Sequence, residues 1–222
     1  MCSGRVDLRL VLRAFLNRMD GVFVGGCRLG ECKYATHGNY HALSMVSLGK
    51  KLLEHIGLNP ERLRIEFMSS SDGAFFAQVT NDFVKRVKEL GPLGVGEGIN
   101  ESILKLKLEV ATRLVPYIKL VETERLGVPV RSEEAYKKFF ESEEAERLFN
   151  ELILNKLVEN EIMLLLRRGP MASGEISEAL GLSVSEVLSH ISALIRGGFV
   201  KYDLGQRRFT IALGKGRIVA IR

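Results

Sequence analysis

Residues 21–40 of this 222-residue chain read GVFVGGCRLGECKYATHGNY, and this stretch decides how the first part of the chain folds. The short apolar run Val22–Val24 is followed by two glycines, which is typical of a buried parallel strand. Cys27 comes directly after those glycines, and Cys32 comes five positions later. Open α/β sheets usually place their chemistry at the carboxyl ends of strands, so these two thiols are candidates for a functional site.

The flanking residues predict helices and a second strand around this stretch. A first helix begins after the N-cap Asp7 and ends before Gly21, and a second covers about residues 40–56. Residues 63–68 alternate between apolar and polar side chains, as a strand does. A third helix follows, with a predicted apolar face of Phe76, Val79, Phe83, Val87 and Leu90. This order predicts an α/β fold: a small parallel sheet covered by helices.

Two strands are few for a parallel sheet, because such a sheet needs cover on both faces. The chain also begins at Met1, directly before Cys2 and the first helix. We therefore expect additional strands, either from residues that precede Met1 or from another chain. The predicted sheet is incomplete at its N-terminus.

The rest of the chain predicts two further parts. Residues 91–98 are rich in glycine, which is typical of a linker. We therefore expect the α/β domain to end near residue 93, and a linker and helical connector to cover residues 94–147. Pro116 should kink or break the helix it lies in. Residues 148–222 pattern as three helices followed by a β-hairpin, which is the winged form of the helix-turn-helix.

Composition excludes several classes of protein. Hydrophobic residues make up 46% and charged residues 27% of the chain, as in ordinary globular proteins, and the net charge of +5 is compatible with nucleic acid without requiring it. No apolar run approaches the roughly 18 residues of a membrane span. Charges near the N-terminus argue against a signal peptide, so we expect a cytoplasmic protein.

The cysteines have two interpretations. Three cysteines are too few for a disulfide framework, and clustered cysteines in a cytosolic chain favour a metal or redox site. The C-x4-C spacing of Cys27 and Cys32 occurs in plant-type ferredoxins, where the thiolates hold an iron–sulfur cluster. The alternative is that both are simply small buried residues.

A family resemblance adds to this pattern. The segments MCSGRVD, DGVFVGGCRLGECKY, GNY and NPERLRIEFMSSSDGAFFAQVTNDF closely resemble the delta subunit of methyl-viologen-reducing hydrogenases over about residues 1–93. The resemblance implies a 2Fe–2S cluster in a small α/β domain, with Cys2, Cys27 and Cys32 as metal ligands. It implies an electron-transfer subunit without catalysis of its own. Its partners would be a hydrogenase or formate dehydrogenase, and the flavin subunit of a heterodisulfide reductase.

The sequence also departs from that family. The family loop commonly reads C-H-P-G-D-C-H-Y, whereas here Arg28, Leu29, Glu31 and Lys33 replace its His, Pro, Asp and His. The family normally begins with another strand–loop–helix unit that carries a C-C-x-x-C-like motif, and this chain lacks it. Three thiols do not complete a four-thiolate cluster. The missing ligand would come from a longer chain, a separate subunit or a side chain other than cysteine, or the cluster is lost.

The winged helix suggests a second function. The third helix of this part offers Ser189, His190 and Arg196, and the wing offers Arg207 and Arg208, as candidates for DNA contacts. The helix is poor in cations, whereas affinity for DNA comes largely from neutralising phosphates. Docking or dimerisation is therefore the competing use of this fold. The alternative to an electron-transfer subunit is a redox-responsive transcription regulator that binds DNA.

Overall fold

A two-stranded parallel sheet lies at the start of the fold. The computed structural model describes residues 2–34 and 38–212. Strand β1 (Val22–Gly26) pairs in parallel with β2 (Leu63–Phe67), in a register that sets Val22 opposite Leu63 and Gly26 opposite Phe67. Both strands and their parallel pairing confirm the prediction from sequence. The register brings the carboxyl end of β1, and therefore Cys27, beside the carboxyl end of β2.

Three helices belong to this α/β segment. They are α1 (Leu8–Leu16), α2 (Asn39–Ile56) and α3 (Gly73–Leu90). Asp7 caps α1 as predicted, because its carboxylate accepts a hydrogen bond of 2.8 Å from the backbone N–H of Arg9. Gly57 ends α2 in the left-handed conformation, at φ 96°, which only glycine adopts readily. The core between these elements includes Leu8, Phe15, Leu48, Leu52 and Leu63, all of them fully buried.

Helix α3 differs from the prediction on its apolar face. Val79 and Phe83 are buried as expected, but Phe76 is 49% exposed, so its assignment to the core is wrong. Its ring and that of Phe23 lie edge to face at a centroid distance of 6.4 Å. Helical spacing tells which residues share a face, whereas burial also requires an element to cover that face. The two-stranded sheet covers only part of the apolar face of α3.

The glycine-rich residues 91–98 are folded against the α/β segment. Arg62 is fully buried and donates from Nε and Nη2 to the two carboxylate oxygens of Glu97, at 2.6 and 3.0 Å. Glu97 also accepts hydrogen bonds from the backbone N–H groups of Asn59 and Gly94. A side chain on Gly96 would overlap the carbonyl oxygen of Leu90. The segment therefore forms a close turn that packs against the α/β segment.

Three further helices precede the winged part: α4 (Glu101–Arg125), α5 (Glu133–Phe140) and α6 (Glu143–Phe149). Helix α4 continues through Pro116, so the predicted break does not occur there. The chain divides into two compact units, Met1–Leu148 and Phe149–Arg222, and α4 packs within the first of them. Residues 94–147, predicted as a connector, thus fold together with the α/β segment.

The second unit has the predicted winged-helix form. A π-helical turn (Asn150–Leu154) leads into α7 (Asn155–Leu166), and α8 (Ser173–Leu180) and α9 (Val184–Arg196) follow. Strands β3 (Val200–Asp203) and β4 (Arg208–Ile211) pair as an antiparallel hairpin. Ser183 and Glu186 form a capping box at the start of α9. Ser173 is the first residue of α8, and the Glu175 carboxylate accepts a hydrogen bond from the backbone N–H of Ala172, the residue before it.

No single helix in residues 2–34 and 38–212 is long and apolar enough to span a membrane. In that part of the chain only α8 and α9 taken together have the length and composition of a span, and the two helices are bent by 112° at the break between them.

Candidate functional site

The three cysteines lie near one another at the carboxyl end of the sheet. Cys27 follows β1 and is exposed, while Cys2 and Cys32 are half-buried. The Sγ atoms of Cys2 and Cys32 are 3.8 Å apart, although 30 residues separate them in sequence. Cys27 is near enough to Cys32 that each thiol shifts the pKa of the other. The fold thus brings together the residues that the sequence singled out.

The start of helix α2 holds the cysteine loop in place. Asn39 is only 1% exposed, and its Nδ2 donates to the carbonyl oxygens of Cys27, at 2.8 Å, and Arg28, at 2.7 Å. The preceding Gly38 packs so closely that a side chain there would overlap Cys32 Sγ. Both residues fall in the quoted stretch, but no pattern in that stretch indicates that the Asn39 amide faces two carbonyls.

The electrostatic surroundings of Cys27 and Cys32 differ. A hydrogen bond from the backbone N–H of Tyr34 lowers the pKa of the Cys32 thiol, and the N–H of Asn39 acts in the same direction. Burial raises the pKa of Cys27, and the neighbouring Cys32 thiol adds to that effect. Cys32 is therefore the thiol that the protein scaffold best prepares as a thiolate.

Arg28 connects the cysteine loop to the loop after β2. Its Nη2 lies 2.6 Å from Asp72 Oδ2, which also accepts from the backbone N–H of Ser69 at 2.8 Å. These hydrogen bonds, that of Ser69 foremost, lower the pKa of Asp72. The Arg28 charge beside the thiols is thus balanced by a carboxylate. No pattern in the sequence indicates this pairing of Arg28 with Asp72.

An open cleft of about 430 Å³ adjoins the cysteines. Its lining includes Cys2, Ser3, Gly26, Cys27, Ser70 and Phe76. The Ser3 hydroxyl is buried, and it has no hydrogen-bond partner among the residues that the structure describes. The cleft therefore joins two thiols, one unpartnered hydroxyl and an exposed aromatic ring.

The side chains at this site are of the chemical types that bind an iron–sulfur cluster. Thiolates are the ligands such clusters take, and the unpartnered Ser3 hydroxyl is a donor suited to sulfur acceptors. Within residues 2–34 and 38–212, however, no set of three or more His, Cys, Asp and Glu side chains is arranged to hold a metal ion. A four-thiolate cluster would need one ligand beyond the three cysteines. Cys2, Cys27 and Cys32 stay predicted ligands.

Comparison with known proteins places the first part of the chain. The family model described as methyl-viologen-reducing hydrogenase, delta subunit, matches residues 1–91. The vhu iron-sulfur subunit of the F420-non-reducing hydrogenase of Methanopyrus kandleri is 42% identical over 92 residues, which are 41% of this chain and 69% of the relative. The chain belongs to the methyl-viologen-reducing hydrogenase delta subunit family. The resemblance read from its segments is confirmed.

Two other relatives show how the family segment is used. The iron-sulfur subunit of the F420-non-reducing hydrogenase of Archaeoglobus profundus is 47% identical over 91 residues, 41% of this chain and 66% of the relative. A polypeptide of the CoB-CoM heterodisulfide reductase of Methanosarcina acetivorans is 44% identical over 94 residues, 42% of this chain. The match spans only 12% of that reductase polypeptide, so a delta-family segment also occurs inside a much longer chain.

The winged unit carries the second group of predicted site residues. A family model described as bacterial regulatory protein, arsR family, matches residues 159–202. In the winged unit Ser189, Arg196 and Arg207 are exposed, whereas His190 is half-buried, and Arg207 lies beyond the matched residues. Arg208 donates to both carboxylate oxygens of Glu175, at 2.5 and 2.8 Å.

Charge in this unit is only mildly positive. Residues 149–222 contain ten Lys or Arg and seven Asp or Glu. Because Arg208 is already paired with Glu175, Arg196 and Arg207 are the better placed of the predicted cations for a phosphate contact.

Proposed function

We propose that this chain is an iron–sulfur electron-transfer subunit of a cytoplasmic oxidoreductase complex. Membership of the delta family supports this, since its relatives are named as iron-sulfur subunits of hydrogenases. The observation that carries the proposal is the meeting of Cys2 and Cys32, 3.8 Å apart, beside the exposed Cys27 at the carboxyl end of the sheet. The proposed group is a 2Fe–2S cluster, which when bound takes up and releases single electrons.

The residues of this chain would hold and position that group. Cys32 has the lowered thiol pKa, which favours the thiolate that a metal ligand must be. Asn39 fixes the carbonyls on either side of the Cys27–Arg28 peptide, so the loop keeps its shape. The exposure of Cys27 leaves the group within reach of a docked partner. A fourth ligand would be supplied in addition to these three thiols.

The proposed partners are a hydrogenase or formate dehydrogenase as electron donor, and the flavin subunit of a heterodisulfide reductase as acceptor. The hydrogenase names of several relatives support the donor. The delta-like segment within the heterodisulfide reductase polypeptide of Methanosarcina acetivorans supports the acceptor, because the segment is there covalently part of the reductase. In this proposal the winged unit is a docking module.

The test is anaerobic purification from the native host, with iron and sulfide analysis, EPR spectra and identification of co-purifying chains. We expect about two iron ions per chain, together with hydrogenase or reductase subunits. Cys32→Ser should lose iron, while Ser71→Ala, in the loop after β2, should keep it. An iron-free wild-type protein without oxidoreductase partners contradicts the proposal.

A redox-responsive DNA-binding regulator is the second candidate. The arsR-family match and the exposed Ser189, Arg196 and Arg207 favour it. It predicts a sequence-specific complex with duplex DNA that weakens with salt and changes with thiol oxidation. A competition shift assay decides: affinity for a selected duplex no higher than for random duplex rules this candidate out. Arg207→Ala should weaken a true complex more than Lys156→Ala, a substitution on α7 outside the predicted DNA contacts.

A further inference from the structure

Ser3 is a buried hydroxyl that the proposed ligand set leaves unused. It directly follows Cys2, opens the short 3₁₀ turn Ser3–Arg5 and is only 8% exposed. Its Oγ is closed off from solvent and has no hydrogen-bond partner among the described residues. Burying a hydroxyl without a partner costs folding free energy, so such a group in a native protein calls for an explanation.

The surroundings of Ser3 point to a sulfur acceptor. A side chain on Gly26 would place its Cβ 2.8 Å from Ser3 Oγ, so the hydroxyl packs against the residue directly before Cys27. Ser3 therefore adjoins Cys2 in sequence and the backbone leading to Cys27 in space, and all three line the same cleft. A hydroxyl can donate one hydrogen bond, and a metal-bound thiolate or sulfide can accept it.

The other hydroxyls of the cleft are placed differently. Ser69 Oγ accepts a hydrogen bond of 3.3 Å from Ser71 Oγ, and Ser70 is exposed, where water satisfies a hydroxyl. Among the described serines of this region, Ser3 alone combines burial with an unpartnered Oγ.

We propose that Ser3 Oγ donates a hydrogen bond to a sulfur atom of the iron–sulfur group between Cys2 and Cys27, and thereby raises its reduction potential. The proposal rests on the proposed function. A donor aimed at a cluster sulfur stabilises the more negative, reduced state more than the oxidised state, so removing it should make reduction harder. Ser3 would tune the potential without being a ligand.

The test compares Ser3→Ala with wild type in the purified complex. We expect the two proteins to contain equal iron and the variant to have a more negative midpoint potential in an EPR-monitored titration. In resonance Raman spectra of the wild type, exchange of H₂O for D₂O should shift the Fe–S stretching frequency. That isotope shift should be absent from Ser3→Ala. Ser70→Ala, at the exposed serine of the same cleft, should leave both readouts unchanged. Ser3→Thr, which keeps the hydroxyl, should restore the wild-type potential.

The outcomes separate this inference from the function it rests on. Ser3→Ala with full iron, the wild-type potential and an unchanged deuterium shift overturns the hydrogen bond while leaving the electron-transfer role standing. If Ser3→Ala loses its cluster, the resonance Raman spectrum of the wild type tests the hydrogen bond instead. An Fe–S band of the wild type that does not shift in D₂O excludes Ser3 Oγ as a donor to the cluster. Wild-type protein without iron and sulfide overturns the proposed function, and this inference with it.

Discussion

At the scale of single residues, the shape of the cysteine loop depends on two neighbours in sequence, Gly38 and Asn39. One provides space beside Cys32, and the other provides two donors to the loop carbonyls at Cys27 and Arg28. Neither is a proposed metal ligand, yet both hold the loop that carries Cys27 and Cys32. This is the supporting role on which metal sites generally depend.

Substitution of Asn39 should loosen the loop. Asn39→Asp replaces the donor amide with a carboxylate that faces two carbonyl oxygens, and we expect a loss of about 1–3 kcal/mol in the free energy of unfolding, with lower iron content. Asn39→Ala removes the donors without adding repulsion and should cost less. Urea unfolding and iron analysis of both variants provide the measurement. Equal stability of Asn39→Asp and wild type would contradict the role assigned to the amide.

Gly38 should tolerate no side chain. Gly38→Ala places a methyl group where it overlaps Cys32 Sγ, so the loop must shift and iron retention should fall. Gly73→Ala is the matched control, since a Cβ there meets no atom within 4 Å. Iron content after anaerobic reconstitution compares the two. Equal iron in both variants would show that the close approach at Gly38 has no bearing on the site.

At the scale of elements, buried polar contacts connect segments that are distant in sequence. Arg62, beside the start of β2, is paired with Glu97 in the glycine-rich turn and also donates to the carbonyl of Asp20, at 2.9 Å. Ser44 on α2 donates to Glu122 on α4, at 2.7 Å. These contacts fix the positions of the turn and of α4 against the α/β segment. Apolar packing alone would allow more alternative positions, because it does not require particular donor and acceptor atoms to meet.

Loss of Arg62 should be costly. Arg62→Ala leaves the largely buried Glu97 carboxylate without its cation, and breaking such a pair costs about 3–5 kcal/mol of unfolding free energy. Arg86, which pairs with Glu61 at the surface, is the control, and Arg86→Ala should cost much less because water screens that pair. Chemical denaturation measures both. Similar losses for the two would contradict the assignment of Arg62 as a buried anchor.

Glu122 should make stability depend on pH. Burial raises the pKa of this carboxyl, against the opposing effects of the Ser44 hydrogen bond and of His41 and Lys119; Asp7 raises it further. The folded state therefore binds the proton more tightly than the unfolded state does. The contribution of Glu122 is most favourable below its unfolded pKa of about 4.3 and is lost as the pH rises through the folded pKa.

Glu122→Gln tests this dependence. Relative to wild type, the variant should gain melting temperature as the pH rises from about 4 to about 8. Glu124→Gln, on the exposed side of the same helix, should follow the wild-type curve. Thermal melts across this pH range supply the comparison, and parallel curves for wild type and Glu122→Gln would refute the shift.

At the scale of the whole molecule, both compact units have apolar cores that do not include the cysteines. The first unit buries Leu106 and Ile118, and the second buries Leu157, Ile176 and Val187. We therefore expect the chain to fold without a cluster. The triple variant Cys2→Ser, Cys27→Ser, Cys32→Ser should be iron-free yet keep its far-UV circular dichroism, with a melting temperature within about 2 °C of the apo wild type. A molten or unfolded variant would contradict this.

The local pattern of the sequence was sufficient for the α/β segment and the winged unit. Apolar spacing and the N-cap Asp7 are local signals, and such signals predicted helices and strands to within a few residues. The cysteines could be nominated because a thiol at the end of a buried strand is a local signal too. The family resemblance extended this to Cys2.

Contacts between distant residues were decided only in three dimensions. The sequence by itself determined the α/β and winged-helix elements and the parallel pairing, and it nominated the three cysteines as candidate ligands. The tertiary structure decided that Phe76 is exposed, that Arg28 and Arg208 are paired with Asp72 and Glu175, and that Ser3 Oγ is buried with no partner among the described residues. Local propensity depends on neighbours a few residues apart, whereas burial and ion pairing depend on which elements the whole fold brings together.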